Sequence, residues 1–219
     1  MSLPFLYMFL ASSALELSDV PVSFERNLGQ TLASVKFLAR SRGFTLLLTE
    51  EGAAITRGGA KNSRPLRLEL VGAQTLTLEG KEPMERRSHY FLGDDPELWV
   101  VDVPHYARVV CRNAYPGIDL VFHARSGELE YDFVAAPGAD IECIALRLDG
   151  PERMEVDENG DLLLHVEEGV LRQRKPLVYQ GSGLGRTVVD GAYRIDADGI
   201  VRFRIAAHAP NLPLGSIRS

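Results

Sequence analysis

The 219-residue chain has only two cysteines, Cys111 and Cys143, and a single tryptophan, Trp99. Two thiols exclude a four-thiolate zinc site and a dense disulfide framework. Whether the two pair as one disulfide depends on their separation in space, and that question stays open here. No apolar run is long enough to cross a bilayer, so no membrane span is expected. Lys and Arg are outnumbered 24 to 30 by Asp and Glu, the net charge is −6, and the basic residues are scattered. Nucleic acid, which selects for a concentrated basic face, is therefore not an expected partner. The five histidines never fall two or four residues apart, so no chelating pair stands out and no metal or cofactor is expected. Long amphipathic helices are missing too; "SSALELSD" (12–19) and "TLASVKFLA" (31–39) come nearest, and both are short.

What is there is alternation. In "PLRLELVGAQTLTLEG" (65–80), Leu66, Leu68 and Leu70 face one way and Arg67 and Glu69 the other, the period of a half-buried strand. Turn pairs punctuate the pattern: Arg42-Gly43, Ser126-Gly127, Asn159-Gly160, Glu168-Gly169 and Asp198-Gly199. Asn-Gly and Asp-Gly suit type I′ hairpin turns, which need positive φ at both central residues. Roughly fifteen strands with frequent turns predict an all-β fold of antiparallel β-sandwich architecture. It is expected as one elongated sandwich or two packed sandwich subdomains meeting near 102–106, where Pro104 interrupts the ladder. Residues 20–209 form this β-rich domain, with the polar stretch 79–89 read as a long connection and 210–219 as a tail or linker. The start, 1–19, has a short apolar run and small residues but no preceding Lys or Arg, and reads as an atypical leader or an added start.

The residues with most chemical interest are in "YPGIDLVFHARSGELEYDFVAAPGAD" (115–140). A two-residue loop at Ser126-Gly127 pairs Arg125 with Glu128, His123 with Glu130, Phe122 with Tyr131 and Leu120 with Phe133. Ile118, Leu120, Phe122, Tyr131 and Phe133 then share a core face. Asp119, His123, Glu130 and Asp132 occupy the other, expected to be the solvated one. Carboxylates at i and i+2 on a strand lie roughly 6–7 Å apart, a separation a glycosidase pair can use. These four are the candidate catalytic residues.

Other motifs dissolve on inspection. "DENGDLLLHVEE" (157–168) places Asp157, Asn159, Asp161 and Glu168 like a calcium loop, but Leu162 stands where glycine is needed, and a hairpin explains it better. "GSGLG" (181–185) lacks the Lys-Ser/Thr of a phosphate loop. "RQRK" (172–175) reads as a solvated strand face. Tyr90, Phe91, Trp99, Tyr106 and Tyr115 are candidates for a sugar-stacking platform, with core packing as the alternative.

A further series carries more information: "SFERNLGQ", "VKFLARSRGFTLLLTEEGA", "LRLELVGA", "HYFLGDDPELWVVDVPHYARV", "YPGIDLVF", "GELEYDFVAAPGAD", "NGDLLLH" and "KPLVYQ", in this order. It resembles an uncharacterised β-rich domain of bacterial proteins that lies N-terminal to SBBP-type β-propeller repeats, and the resemblance runs from about Val22 to Ala207. The family's usual "L-V-I-D-P" close is replaced here by "LPLGSIRS". The resemblance implies an exported setting, extracellular or at the cell surface, and a non-catalytic binding or assembly role. A protein partner or a polysaccharide is the expected ligand; the oligomeric state is open. The alternative is a carbohydrate-active enzyme or carbohydrate-binding accessory domain using the acidic face of the 118–133 hairpin. Among the recurring residues, Pro116-Gly117 and Pro137-Gly138 read as turns, and Asn27 and Gln30 as partners for backbone groups where the first strand leaves its sheet.

Overall fold

The computed structural model describes residues 22–41, 43–57, 64–125, 127–167, 169–181, 186–207, 209 and 212–215. Its strands in chain order are β1 (Phe24–Arg26), β2 (Val35–Ser41), β3 (Phe44–Thr49), β4 (Gly52–Arg57), β5 (Leu66–Leu70), β6 (Thr77–Tyr90), β7 (Val100–Tyr115), β8 (Ile118–Arg125) and β9 (Glu128–Ala135). There follow β10 (Ala145–Asp149), β11 (Arg153–Val156), β12 (Leu162–Val166), β13 (Gly169–Gln173), β14 (Val178–Gln180), β15 (Thr187–Val189), β16 (Gly191–Ile195), β17 (Val201–Ile205) and β18 (Leu214–Gly215). Fifteen strands join one antiparallel sheet in the order β15-β14-β18-β9-β8-β7-β1-β2-β3-β4-β5-β10-β17-β16, with β6 paired to β7. The meander β11-β12-β13 is a separate sheet. The all-β, antiparallel sandwich expectation holds.

A sheet this long must curl to bury its apolar face. Phe122, Leu129 and Tyr131 of the β8–β9 hairpin face Leu46, Ala53, Ile55, Leu66, Leu68 and Leu148 across a residual void of only about 10 Å³. The Tyr115 hydroxyl at the end of β7 bonds the carbonyls of Val71 (3.2 Å) and Ala145 (3.0 Å), bracing the same two leaves. Phe133 of β9 packs on Phe203 of β17, which packs on Tyr193 of β16. The meander is pinned by Gln173, fully buried, whose Nε2 donates to the hydroxyls of both Tyr131 and Tyr193 at 2.8 Å. Buried apolar side chains form one continuous cluster from Phe24 to Leu214.

Alternation in β5 is as expected, with Leu66, Leu68 and Leu70 buried and Arg67 and Glu69 exposed. The β2–β3 and β8–β9 registers, Ser41 opposite Phe44 and Arg125 opposite Glu128, are also as expected; Arg42, Ser126 and Glu168 themselves lie outside the described residues. Several expectations need correction. Residues 79–89 are not a connection but most of β6, a polar strand because both its faces are largely exposed. Residues 102–106 lie inside the sixteen-residue β7, where Pro104 sits opposite Arg87 of β6. Leu214, expected in the tail, is buried in β18 between β14 and β9. "TLASVKFLA" ends in strand β2, while 12–19 lies outside the described residues.

The Asn159-Gly160 and Asp198-Gly199 turns are not type I′, since positive φ is found only at the glycines. Asp157 and Asp196 choose otherwise. Each accepts two backbone N–H bonds, from Asn159 and Asp161 and from Asp198 and Ile200, which selects a wider loop closed at the glycine.

Candidate functional site

The β8–β9 hairpin has the predicted register, His123 opposite Glu130 and Phe122 opposite Tyr131. Its polar face is not solvated, however. His123, Glu130 and Asp132 are 8, 2 and 1 % exposed. The hairpin sits inside the sheet between β7 and β18, and both of its faces are covered. His123 Nε2 lies 2.7 Å from Asp132 Oδ2 and 3.8 Å from Glu130 Oε2. Burial, with Arg108 and Arg125 nearby, pushes the imidazole below its ordinary pKa. Burial also raises the Glu130 carboxyl to about 7, against the pull of Arg125 and Arg174. A raised carboxyl beside an imidazole is the electrostatic signature of acid–base chemistry. A glycosidic bond must also reach it, and the burial opposes that.

Asp119 is engaged elsewhere. One carboxylate oxygen accepts from the Asn113 N–H at 2.8 Å and the other pairs with Arg112, stapling the β7 bulge where Asn113 takes φ +47°. Among the described residues no three His, Cys, Asp or Glu side chains are arranged to hold a metal ion. Both cysteines are free, Cys111 buried and Cys143 half-buried.

A second polar cluster has no motif in the sequence. His105 of β7, 1 % exposed, lies between the Ser23 hydroxyl at Nδ1 and the Ser88 hydroxyl at Nε2, both at 2.7 Å. Burial lowers its pKa, and a neutral imidazole donates to one hydroxyl and accepts from the other. Beside it, buried Glu25 receives Arg40 at 3.0 Å and the Tyr90 hydroxyl. Together the two clusters tie β6 to β1 and β2.

Beyond this tie the β6–β7 ribbon ends in an exposed tip. Phe91, Leu92, Leu98, Trp99 and Val101 are all exposed, Phe91 by 65 %. Phe91 meets Trp99 edge-on at 5.0 Å, and Trp99 Nε1 donates to the Gly93 carbonyl. The Asp95 carboxylate caps the short turn Pro96–Leu98. Residues 88–107 contain Asp94, Asp95, Glu97 and Asp102 but no Lys or Arg. The expected aromatic platform is therefore split: Tyr115 is core, Tyr106 packs on Phe37, Tyr90 joins Glu25, and only Phe91 and Trp99 pair in the open.

At the other end of β6 an open cavity of about 620 Å³ is lined by Phe37, Leu76, Leu78 and Tyr106, with Arg26, Lys36 and Lys81 among its polar residues. It forms because Leu76 donates its N–H to Glu50 across the strand ends, bringing the start of β6 against the β3–β4 turn. Lys36 and Lys81 carry exposed ion pairs to Glu50 and Glu79, whereas Arg26 has no acidic partner among the described residues. Asn27 and Gln30 shape the adjacent loop, bonding the backbone of Arg26, Leu28, Gly29, Leu32 and Val35 as expected.

These features define an antiparallel β-sandwich with a buried acid–histidine cluster, an apolar, acidic ribbon tip and a cavity of ligand size. Residues 24–215 match DUF7948, a domain of unknown function, and the chain belongs to that family. Neither a curated protein nor a solved structure gives a significant match.

Proposed function

We propose that the chain is a non-catalytic binding or assembly module, and that it works in an exported bacterial protein, extracellular or at the cell surface. The observation that carries the binding role is the tip of the β6–β7 ribbon. Five large apolar side chains cluster there in water, on a ribbon whose base is clamped by Ser23–His105–Ser88 and by Glu25–Tyr90. Scattered exposed apolar residues need no explanation, but clustered aromatic ones mark contact surfaces. The exported setting rests on the resemblance to domains that precede SBBP-type propeller repeats. Fractionating cells against cytosolic and surface markers tests it, and recovery with the cytosolic marker refutes it.

The carbohydrate-active alternative loses support because His123, Glu130 and Asp132 are buried. A panel of polysaccharides incubated with the protein and with Glu130→Gln decides between the readings. We expect no hydrolysis from either. Turnover that disappears in Glu130→Gln, with the variant melting no lower than the parent, would hand the function to the hairpin.

A further inference from the structure

We propose that the chain associates with a second copy of itself, the ribbon tip of one molecule entering the cavity bounded by β1, β2, β6 and β7 of the other. This rests on the assembly-module reading and names the partner. The two surfaces complement each other in shape class and in charge. The tip is convex and apolar, with Phe91, Leu98 and Trp99 exposed. Asp94, Asp95, Glu97 and Asp102 bring four negative charges to residues 88–107 with no compensating cation. The cavity, at about 620 Å³, is concave and has an apolar part made by Phe37, Leu76, Leu78 and Tyr106. Its charged residues, Arg26, Lys36, Lys81, Glu50 and Glu79, sum to +1. The two acids are already spoken for by lysines, so Arg26 is the group that faces an incoming carboxylate without competition. Because both lysine pairs are exposed, each is worth little and exchanges readily with an acid from the tip.

Charge also selects the geometry. Two tips meeting each other would bring together four acids from each side, a repulsive contact. Tip against cavity joins opposite signs. Such a contact uses different patches on the two molecules, so it either closes reciprocally about a two-fold axis or propagates as a chain.

The test is sedimentation velocity across a concentration series. The intact protein should associate, and more weakly at high salt as the rim charges are screened. Trp99→Ser, which removes the tip, and Arg26→Glu, which reverses the cavity, should each lose association while keeping the melting temperature of the parent. Mixing these two variants is decisive. The intact cavity of Trp99→Ser and the intact tip of Arg26→Glu can form one contact, so a dimer should return in the mixture alone. Phe91→Ser provides a second tip variant in case Trp99→Ser fails to fold. A monomer at every concentration overturns the self-contact, as does association that survives both variants or a mixture that stays monomeric. None of these results bears on the hydrolysis assay, so the failure of this contact and the failure of the non-catalytic reading are distinguishable.

Discussion

Gly80 has negative φ, so no backbone strain requires a glycine there; the Tyr106 ring does. A Cβ built at residue 80 would lie 2.6–2.7 Å from three ring carbons of Tyr106, well inside contact distance. Edge-on packing against Phe37 at 5.8 Å opposes displacement of the ring. Gly80→Ala should therefore force an overpacked site, at a cost of about 1–3 kcal/mol. It also removes the entropic penalty of glycine in a strand, a gain of about 0.5–1 kcal/mol. The net is a loss of up to about 2.5 kcal/mol. In a Tyr106→Ala background the collision disappears, and the same substitution should stabilise by the glycine term alone, so the coupling between the two sites is about 1–3 kcal/mol. Urea denaturation of the four proteins in the cycle measures it, read as a shift in midpoint at constant slope. If Gly80→Ala costs the same with and without the tyrosine ring, within about 0.5 kcal/mol, the reasoning is refuted.

Tyr115→Phe keeps the ring but takes from the buried Ala145 N–H its hydroxyl acceptor, while the Ala145 carbonyl keeps the Val71 N–H, so it should cost about 1–3 kcal/mol in the same denaturation assay; a neutral result would mean the hydroxyl does not brace the two leaves. Glu130 gives a pH-dependent prediction, since a carboxyl raised to about 7 binds its proton more tightly folded than unfolded. Its stabilising contribution is full below the unfolded value near 4.5 and lost as the pH rises through about 7, which amounts to up to about 3 kcal/mol. Glu130→Gln should match the parent at pH 4 and exceed it at pH 8; a variant less stable at pH 8 would show the charge to be held by Arg125 and Arg174. Cys111, buried and with its thiol pushed up to about 12, should resist alkylation in the native protein, whereas half-buried Cys143 reacts slowly and both react after unfolding. A mass consistent with a disulfide would contradict the two free thiols.

Alternation and turn pairs were enough to read the fold class, the β5 faces and the register of the β8–β9 hairpin. They could not say whether a face is covered. Period two puts Asp119, His123, Glu130 and Asp132 on one side of the hairpin whatever lies above it, and antiparallel sheets commonly leave that side wet. Val121 was the available signal: it shares the polar face and is 2 % exposed. The polarity of 79–89 misled in the opposite sense, because a strand exposed on both faces carries no alternation to detect. The His105 cluster was illegible for a third reason. Ser23 and Ser88 lie 82 and 17 residues from it, brought together only by β7 pairing with β1 on one edge and β6 on the other.

The same topology bears on how the ribbon can meet a partner. Among the described residues β6 pairs only with β7, so its outer edge presents backbone groups that could recruit another strand. That route is obstructed. Pro83 lacks an N–H, Glu82 takes φ +56°, and the register slips between Pro83 and Arg87 and again between Ser88 and Tyr90. Glu85, Arg86 and Arg87 add charge along the same stretch. A bulged, charged, proline-bearing edge disfavours strand addition, leaving side-chain contact at the tip as the available mode of association. The buried polar clusters then have a clear role in that mode. By fastening Ser88 and Tyr90 to β1 and β2 they order the base of the ribbon in advance, so that a partner binding the tip need not supply that ordering free energy itself.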